Sequence, residues 1–158
     1  MTDNPFWDFS LTVYARPGVP AACLDLQDRR GLDVNVLLFA AWAGMACGVR
    51  LSAEELARVD SAVEPWRGEV VRPLRAVRRR VKGEDAALYE QLKAAELAAE
   101  RIQQDRLFAV SGLTPAPGDR VESGRVELGV ELAAANLRLL VPGNDPALEV
   151  LIASLRDG

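Results

Sequence analysis

The chain is 158 residues long, the usual size of one domain, and its 49% hydrophobic and 27% charged residues are the composition of a globular protein. Its net charge of −4 speaks against nucleic-acid binding as a general property of the surface. The absence of histidine excludes imidazole bases and Ser-His or Cys-His nucleophiles, and with only two cysteines we expect no metal site, no cofactor and no assignable catalytic residue.

Proline and glycine bound the first two predicted helices. Asn4 as N-cap and Pro5 at the first helical position predict a helix that ends before Pro17, because a residue preceding proline is disfavoured in the helical region. A second helix is predicted over residues 18–30, with Gly31 as its C-cap. We expect the buried stripe of this second helix to consist of Val19, Ala22, Cys23 and Leu26.

The longest uncharged run of the chain, residues 34–49, predicts a third helix that Asp33 can cap. Its 16 residues are fewer than the roughly 20 needed to span a bilayer, so we expect a buried central helix and no membrane association. The N-terminal residues lack the basic and apolar regions of a secretory signal. Cys23 and Cys47 fall within apolar helical patterns, and we expect reduced thiols in a cytoplasmic protein.

A capping box marks the start of the next helix. Ser52 and Glu55 have the spacing at which each side chain caps the backbone N–H of the other, and Leu51 with Leu56 forms a hydrophobic staple. The residues of this helix expected to point inward are Leu56, Val59 and Val63.

Residues 85–110 are predicted to form one long helix. Its apolar residues repeat at alternating spacings of four and three, as in the seam of a helix bundle: Leu88, Leu92, Ala95, Ala99 and Ile102. A loop at 111–120, a helix around 126–137 and a last helix capped by Asp145 and Pro146 follow. The sequence therefore predicts an all-α, single-domain bundle of seven or eight helices over the whole chain.

Acidic and amide residues cluster in the segment DLQDRRGLDVN, residues 25–35. Asp25 and Asp28 are three apart on one helix face, Asp33 and Asn35 follow after a turn, and such paired aspartates could supply the oxygen ligands that Mg²⁺ prefers. The alternative is structural: Asp25 pairs with Arg29 one turn away, Asp28 is solvated and Asp33 is a helix cap. The candidate polar residues of this segment are Gln27, Asp28, Asp33 and Asn35.

Arginines dominate the helical segment 66–82, in which Pro73 must kink the helix or begin a new one because proline lacks the backbone N–H. The planar guanidinium group suits phosphate or carboxylate. The candidate anion-binding or partner-binding residues are Arg72, Arg75, Arg78 and Arg79. The alternative is a solvated face that forms ion pairs with acids such as Glu96 and Glu100.

A polar strip on the long helix, formed by Glu96, Glu100, Gln103 and Gln104, could face these arginines. A half-buried Arg–Glu network would then fix how the helices pair. Alternatively, the strip could line a cleft and supply a carboxylate base. We add Glu96 and Glu100 to the candidate polar site; whether the aspartate and arginine segments meet in one cleft is left open by the sequence.

Two stretches, LQDRRGLDVNVLLF and PLRAVRRRVK, carry a family resemblance. With the segment AELAAERIQQ, they resemble a bacterial family of small conserved hypothetical proteins of unknown function, over most of the chain up to about residue 110. The resemblance implies a bacterial, cytosolic origin and brings no reaction, cofactor or partner. Its pattern includes Gln27, Asp28, Asp33, Asn35, Trp42, Trp66, Arg72, Pro73, Leu74, Arg75, Arg78 and Arg79.

Two functions of different classes fit these features. The first is a non-enzymatic interaction or regulatory protein whose arginine-rich helix contacts an acidic protein partner. The second is an enzyme or binding protein for a small anionic, phosphorylated metabolite, in which Asp28 or Asp33 binds Mg²⁺ or acts as a base. Several helices are apolar on two sides, so we also predict self-association, as a homodimer.

Overall fold

The computed structural model describes residues 4–117 and 123–157, and most of these residues are helical. The α-helices are α1 (Pro5–Tyr14), α2 (Val19–Arg30), α3 (Val34–Met45), α4 (Ala53–Trp66), α5 (Arg72–Val81), α6 (Ala86–Ser111), α7 (Ser123–Leu140) and α8 (Pro146–Ser154). A π-helical stretch, Arg67–Val71, joins α4 to α5, and a 3-10 turn, Leu155–Asp157, follows α8. Since the described residues contain no strand, the predicted all-α bundle is confirmed.

Helix caps lie where the sequence predicts them: at Asn4, Gly31, Asp33, Ser52 with Glu55, and Asp145. The Asp33 side chain, for example, accepts a hydrogen bond from the Asn35 amide at 2.8 Å. The side-chain caps join residues two or three apart, and the Gly31 amide bonds carbonyls four and five residues back, so local sequence is enough to specify them. Ser111 of the predicted loop is the last residue of α6, residues 112–117 are not helical, and residues 118–120 lie outside the described residues.

Helix α3 forms the centre of the hydrophobic core, and every residue from 35 to 44 is buried. Its closest neighbour is α7: a Cβ atom at Gly44 would lie 2.2 Å from the Ala133 backbone nitrogen. The two backbones can meet because Gly44 has no side chain. Cys23 and Cys47 are both buried, and the predicted stripe of α2 is confirmed.

The π-helical stretch before α5 decides which way the arginines point. The Arg72 amide donates to the Arg67 carbonyl, five residues back, and Pro73 then takes the second position of α5. One extra residue in the turn rotates the residues after it by about 100° around the helix axis. Helix α5 has no buried residue, and Val77 on it is 47% exposed.

The seam predicted for the long helix is wrong. Of its five residues only Ala99 is buried; Leu88 and Ile102 are 43% and 39% exposed. The buried face of α6 consists instead of Glu96, Ala99, Gln103, Gln104 and Leu107. The polar side chains can be buried because α3 and α5 bring hydrogen-bonding partners to them.

Candidate functional site

A cleft of about 570 Å³ lies among α1, α2, α3, α5 and α6. This volume is within the range of small-molecule sites, about 300–1,000 Å³. The lining is chemically mixed. Its large apolar side chains include Trp7, Leu11, Leu24 and Leu97, and its cations are Arg75, Arg78, Arg79 and Lys93.

A smaller pocket of about 230 Å³ adjoins the cleft. Arg67, Arg72 and Asp33 contribute to its lining. Gln27 and Arg75 line both the smaller pocket and the cleft. The aspartate and arginine segments of the sequence therefore meet at one concave surface.

Two of the candidate arginines converge on one carboxylate of α6. Arg75 Nε donates to Glu96 Oε2 at 3.0 Å, and Arg78 Nε donates to Glu96 Oε1. The Glu96 side chain is only 8% exposed, and the two arginines are 20% and 19% exposed. This three-residue contact ties α5 to α6 and is the half-buried Arg–Glu network that the sequence allowed.

Glu100 lies one turn further along α6 and is less well matched by cations. Its Oε2 atom is 3.9 Å from Arg75 Nη2. Burial, and to a lesser extent the negative charge of Glu96, raise the pKa of the Glu100 carboxyl to about 7, against the opposite effect of Arg75. A carboxyl group with this pKa inside a cleft is suited to proton transfer.

Buried amides connect the smaller pocket with the cleft. Gln103 Nε2 donates to Asp33 Oδ2 at 2.5 Å, and Asn35 Nδ2 donates to Gln103 Oε1 at 2.9 Å. Gln104 Nε2 then donates to Asn35 Oδ1 at 3.0 Å. Because a carboxylate can only accept, Asp33 fixes which end of each of these three side-chain amides donates and which end accepts. This series of hydrogen bonds ends at Gln104 Oε1, which has no partner among the described residues.

Arg67 is a buried residue of this region that the sequence reasoning missed. Its side chain is 8% exposed and donates to Asp33, Asp60 and Glu64. Asp60, Glu64 and Arg67 are spaced four and three apart, so they lie on one face of a helix. That spacing was the available signal for a salt-bridge cluster.

The predicted site residues are brought together almost completely. The cleft is lined by Gln27, Asn35, Arg75, Arg78, Arg79, Glu96 and Glu100, and the smaller pocket by Gln27, Asp33, Arg72 and Arg75. Asp28 is the exception: its side chain is 61% exposed and pairs with Arg79 at 3.6 Å. Asp25 pairs with Arg29 at 2.8 Å, as the structural interpretation predicted.

The aspartates considered for magnesium binding contact other side chains of the protein. The Asp33 carboxylate already accepts hydrogen bonds from Arg67, Gln103 and the Asn35 amide. Asp28 has a cationic partner in Arg79. Within the described ranges, no group of three or more acidic or cysteine side chains is placed to hold a metal ion.

Residues 5–107 match the model of a family described as a protein of unknown function, DUF2390. The matched region includes every residue that lines the cleft. No curated protein and no solved structure matches the chain. Across the residues described, no helix has both the length and the apolar character needed to cross a bilayer. Because the match spans more than half of the 158 residues, the chain belongs to the DUF2390 family of proteins of unknown function.

Proposed function

We propose that this protein binds a small amphipathic anion, with an apolar body and a carboxylate or phosphate head, in the cleft among α1, α2, α3, α5 and α6. One observation carries the proposal: the lining combines exposed leucines from three helices with four cationic side chains. Mostly apolar pockets with a few convergent polar groups are the usual form of small-molecule sites.

The apolar part of the lining is open to solvent. Leu11, Leu24 and Leu97 are 52%, 44% and 54% exposed, and they come from α1, α2 and α6. Removing apolar surface from water contributes about 25 cal/mol per Å², so an apolar body that covers these side chains would be bound favourably. Exposed apolar side chains that converge on a concave surface indicate a binding site.

The cationic part of the lining keeps donors for a ligand. Arg75 and Arg78 donate to the Glu96 oxygens through their Nε atoms, which leaves their terminal guanidinium nitrogens to contact an anion. Lys93 forms no ion pair within the described part of the chain. Charge-assisted hydrogen bonds from such groups are the stronger class of polar contact.

The same contacts weaken the hypothesis of an acidic protein partner. Arg75 and Arg78 are mostly buried against Glu96, so α5 does not present a continuous arginine face. An acidic partner, a homodimer and the cytoplasmic location stay predictions from the sequence. An enzymatic role for the cleft would use Glu100, whose carboxyl could donate or accept a proton.

The test is calorimetric titration of the purified chain with octanoate, octyl phosphate and, as the neutral probe, octanol. We expect both anions to bind at least about tenfold tighter than octanol. Lys93→Ala should weaken the binding of octanoate about fivefold, because it removes a cation of the cleft without leaving an unpaired partner. Arg80→Ala is the matched control, since Arg80 is 73% exposed and pairs with Glu84 rather than lining the cleft.

Three results would overturn the proposal. The first is that neither anion binds the wild-type chain. The second is that octanol binds as tightly as the anions, and the third is that Lys93→Ala and Arg80→Ala change the affinity for octanoate equally.

A further inference from the structure

We infer that the smaller pocket receives the head of the ligand, that this head is a phosphate group, and that the apolar body occupies the cleft. This inference rests on the proposed function, because it assigns the two parts of that ligand to two adjoining spaces. A phosphate monoester with an apolar chain is therefore the chemical class we assign.

The two spaces are connected through shared residues. Gln27 and Arg75 line both of them, so one molecule can extend from the smaller pocket into the cleft. At about 230 Å³ the smaller pocket lies below the range of complete small-molecule sites, about 300–1,000 Å³. It is suited to a compact head, and the cleft of about 570 Å³ is suited to the body.

Charge distinguishes the smaller pocket from the cleft. Three guanidinium groups, of Arg67, Arg72 and Arg75, and one carboxylate, of Asp33, line the smaller pocket. Arg67 already binds that carboxylate. In the cleft, by contrast, the four cations face the carboxyl groups of Glu90, Glu96 and Glu100. An anionic head therefore meets less repulsion in the smaller pocket.

Arg72 is the cation with the greatest capacity to bind a ligand there. It is exposed and forms no ion pair within residues 4–117 and 123–157. A phosphate monoester carries a charge of about −1.5 to −2 at neutral pH, against −1 for a carboxylate, and its oxygens fit the planar fork of arginine. Arg72 and Arg75 together would therefore favour a phosphate head over a carboxylate head.

Gln27 supplies a neutral donor at the junction of the two spaces. Its side-chain amide makes no hydrogen bond within the part of the chain that the structure describes. The amide N–H₂ group can donate to a phosphate ester oxygen, where the head joins the body. A free amide at this position is consistent with a ligand that crosses from one space to the other.

The experiment compares octyl phosphate with octanoate, which differ in the head and share an apolar chain of similar length. We expect octyl phosphate to bind the wild-type chain about tenfold tighter. Arg72→Ala should remove this preference and leave octanoate binding within about twofold, because Arg72 does not line the cleft. Gln27→Ala should weaken octyl phosphate about threefold, and Arg80→Ala should keep the full preference.

Equal affinity of the two probes for the wild-type chain would overturn the inference, as would an equal loss of both in Arg72→Ala. If octanoate binds and depends on Lys93 while octyl phosphate binds no tighter, only this inference fails. If neither probe binds, the proposed function fails as well.

A further arm identifies the source of the phosphate head. Vesicles of phosphatidylcholine containing phosphatidic acid are sedimented with the wild-type and Arg72→Ala chains. If the wild-type chain sediments with the vesicles and Arg72→Ala does not, the phosphate head is carried by a membrane lipid. If the wild-type chain binds octyl phosphate but does not sediment with the vesicles, the ligand is a phosphate monoester that is free in solution.

Discussion

Glu96 and Glu100 lie one turn apart on α6 and have different surroundings. Glu96 accepts a hydrogen bond from an arginine on each of its oxygens. Glu100 has Arg75 at 3.9 Å and Glu96 as a like-charged neighbour, and burial raises its pKa to about 7. The folded protein therefore holds one carboxyl of this site that titrates near neutral pH.

The raised pKa of Glu100 predicts a pH dependence of stability. Between pH 4.5 and about 7 the folded chain retains a proton on Glu100 that the unfolded chain has lost, so the free energy of unfolding falls as the pH rises through this window. Glu100→Gln is neutral in both states and lacks this contribution. Urea denaturation should show that, from pH 5 to pH 7.5, the free energy of unfolding of the wild-type chain falls by about 1–3 kcal/mol more than that of Glu100→Gln.

Glu90→Gln is the control for this measurement, because Glu90 is an exposed residue of the same cleft. It should follow the pH dependence of the wild-type chain. The same pH dependence in wild type and Glu100→Gln would contradict the assignment of a raised pKa to this carboxyl.

At the scale of the element, α6 shows why periodicity alone mispredicts the buried face. The helix carries both a regular apolar pattern and a polar strip, and either could face inward. The polar strip is buried because Arg75 and Arg78 of α5 contact Glu96, and Asn35 of α3 bonds the two glutamines. Periodicity identifies the faces of a helix but not the neighbours that cover them.

Two alanine substitutions on α6 separate the predicted seam from the observed core. Leu107 is fully buried, so Leu107→Ala should lower the free energy of unfolding by about 2–5 kcal/mol. Ile102 belongs to the predicted seam but is 39% exposed, and Ile102→Ala should cost less than about 1 kcal/mol. Urea denaturation of both variants checks this prediction. If Ile102→Ala lowers the free energy of unfolding more than Leu107→Ala does, the predicted seam is the buried face after all.

At the scale of the molecule, the family match and the folding unit have different extents. The match ends at residue 107, whereas α7 and α8 contribute to the same hydrophobic core as α1 to α4. Asn136 of α7 is fully buried and donates to the backbone carbonyls of Ala40 and Val49 at 3.1 and 3.0 Å. The central helix α3 therefore depends on residues outside the matched region.

A chain truncated after Ser111 should not fold cooperatively, although it contains the whole family match and every residue of the cleft. Removing α7 and α8 exposes the apolar surface of α3 to water and removes the close backbone contact that α7 makes with Gly44. Circular dichroism during urea titration should show no sigmoidal transition. The full chain with the exposed substitution Arg138→Ala is the control and should unfold as wild type does. A cooperative transition in the truncated chain would show that α7 and α8 are dispensable.

The sequence by itself determined the helices, their caps and which kinds of side chain are present for catalysis. Asn4, Asp33 and Ser52 cap helices through hydrogen bonds to residues two or three positions away, so each signal is complete within a few residues. The absence of histidine likewise follows from composition alone and restricts proton transfer to other side chains.

Only the tertiary structure decided which side chains of the site meet. The candidate arginines and acids were recognisable by residue type, but Arg75 and Glu96 are 21 residues apart, and Gln103 and Asp33 are 70 apart. Such contacts depend on how α3, α5 and α6 pack, and on the π-helical stretch that rotates α5. The leucines of the cleft carried no signal in the sequence, because an exposed leucine becomes informative only when its neighbours in space are known.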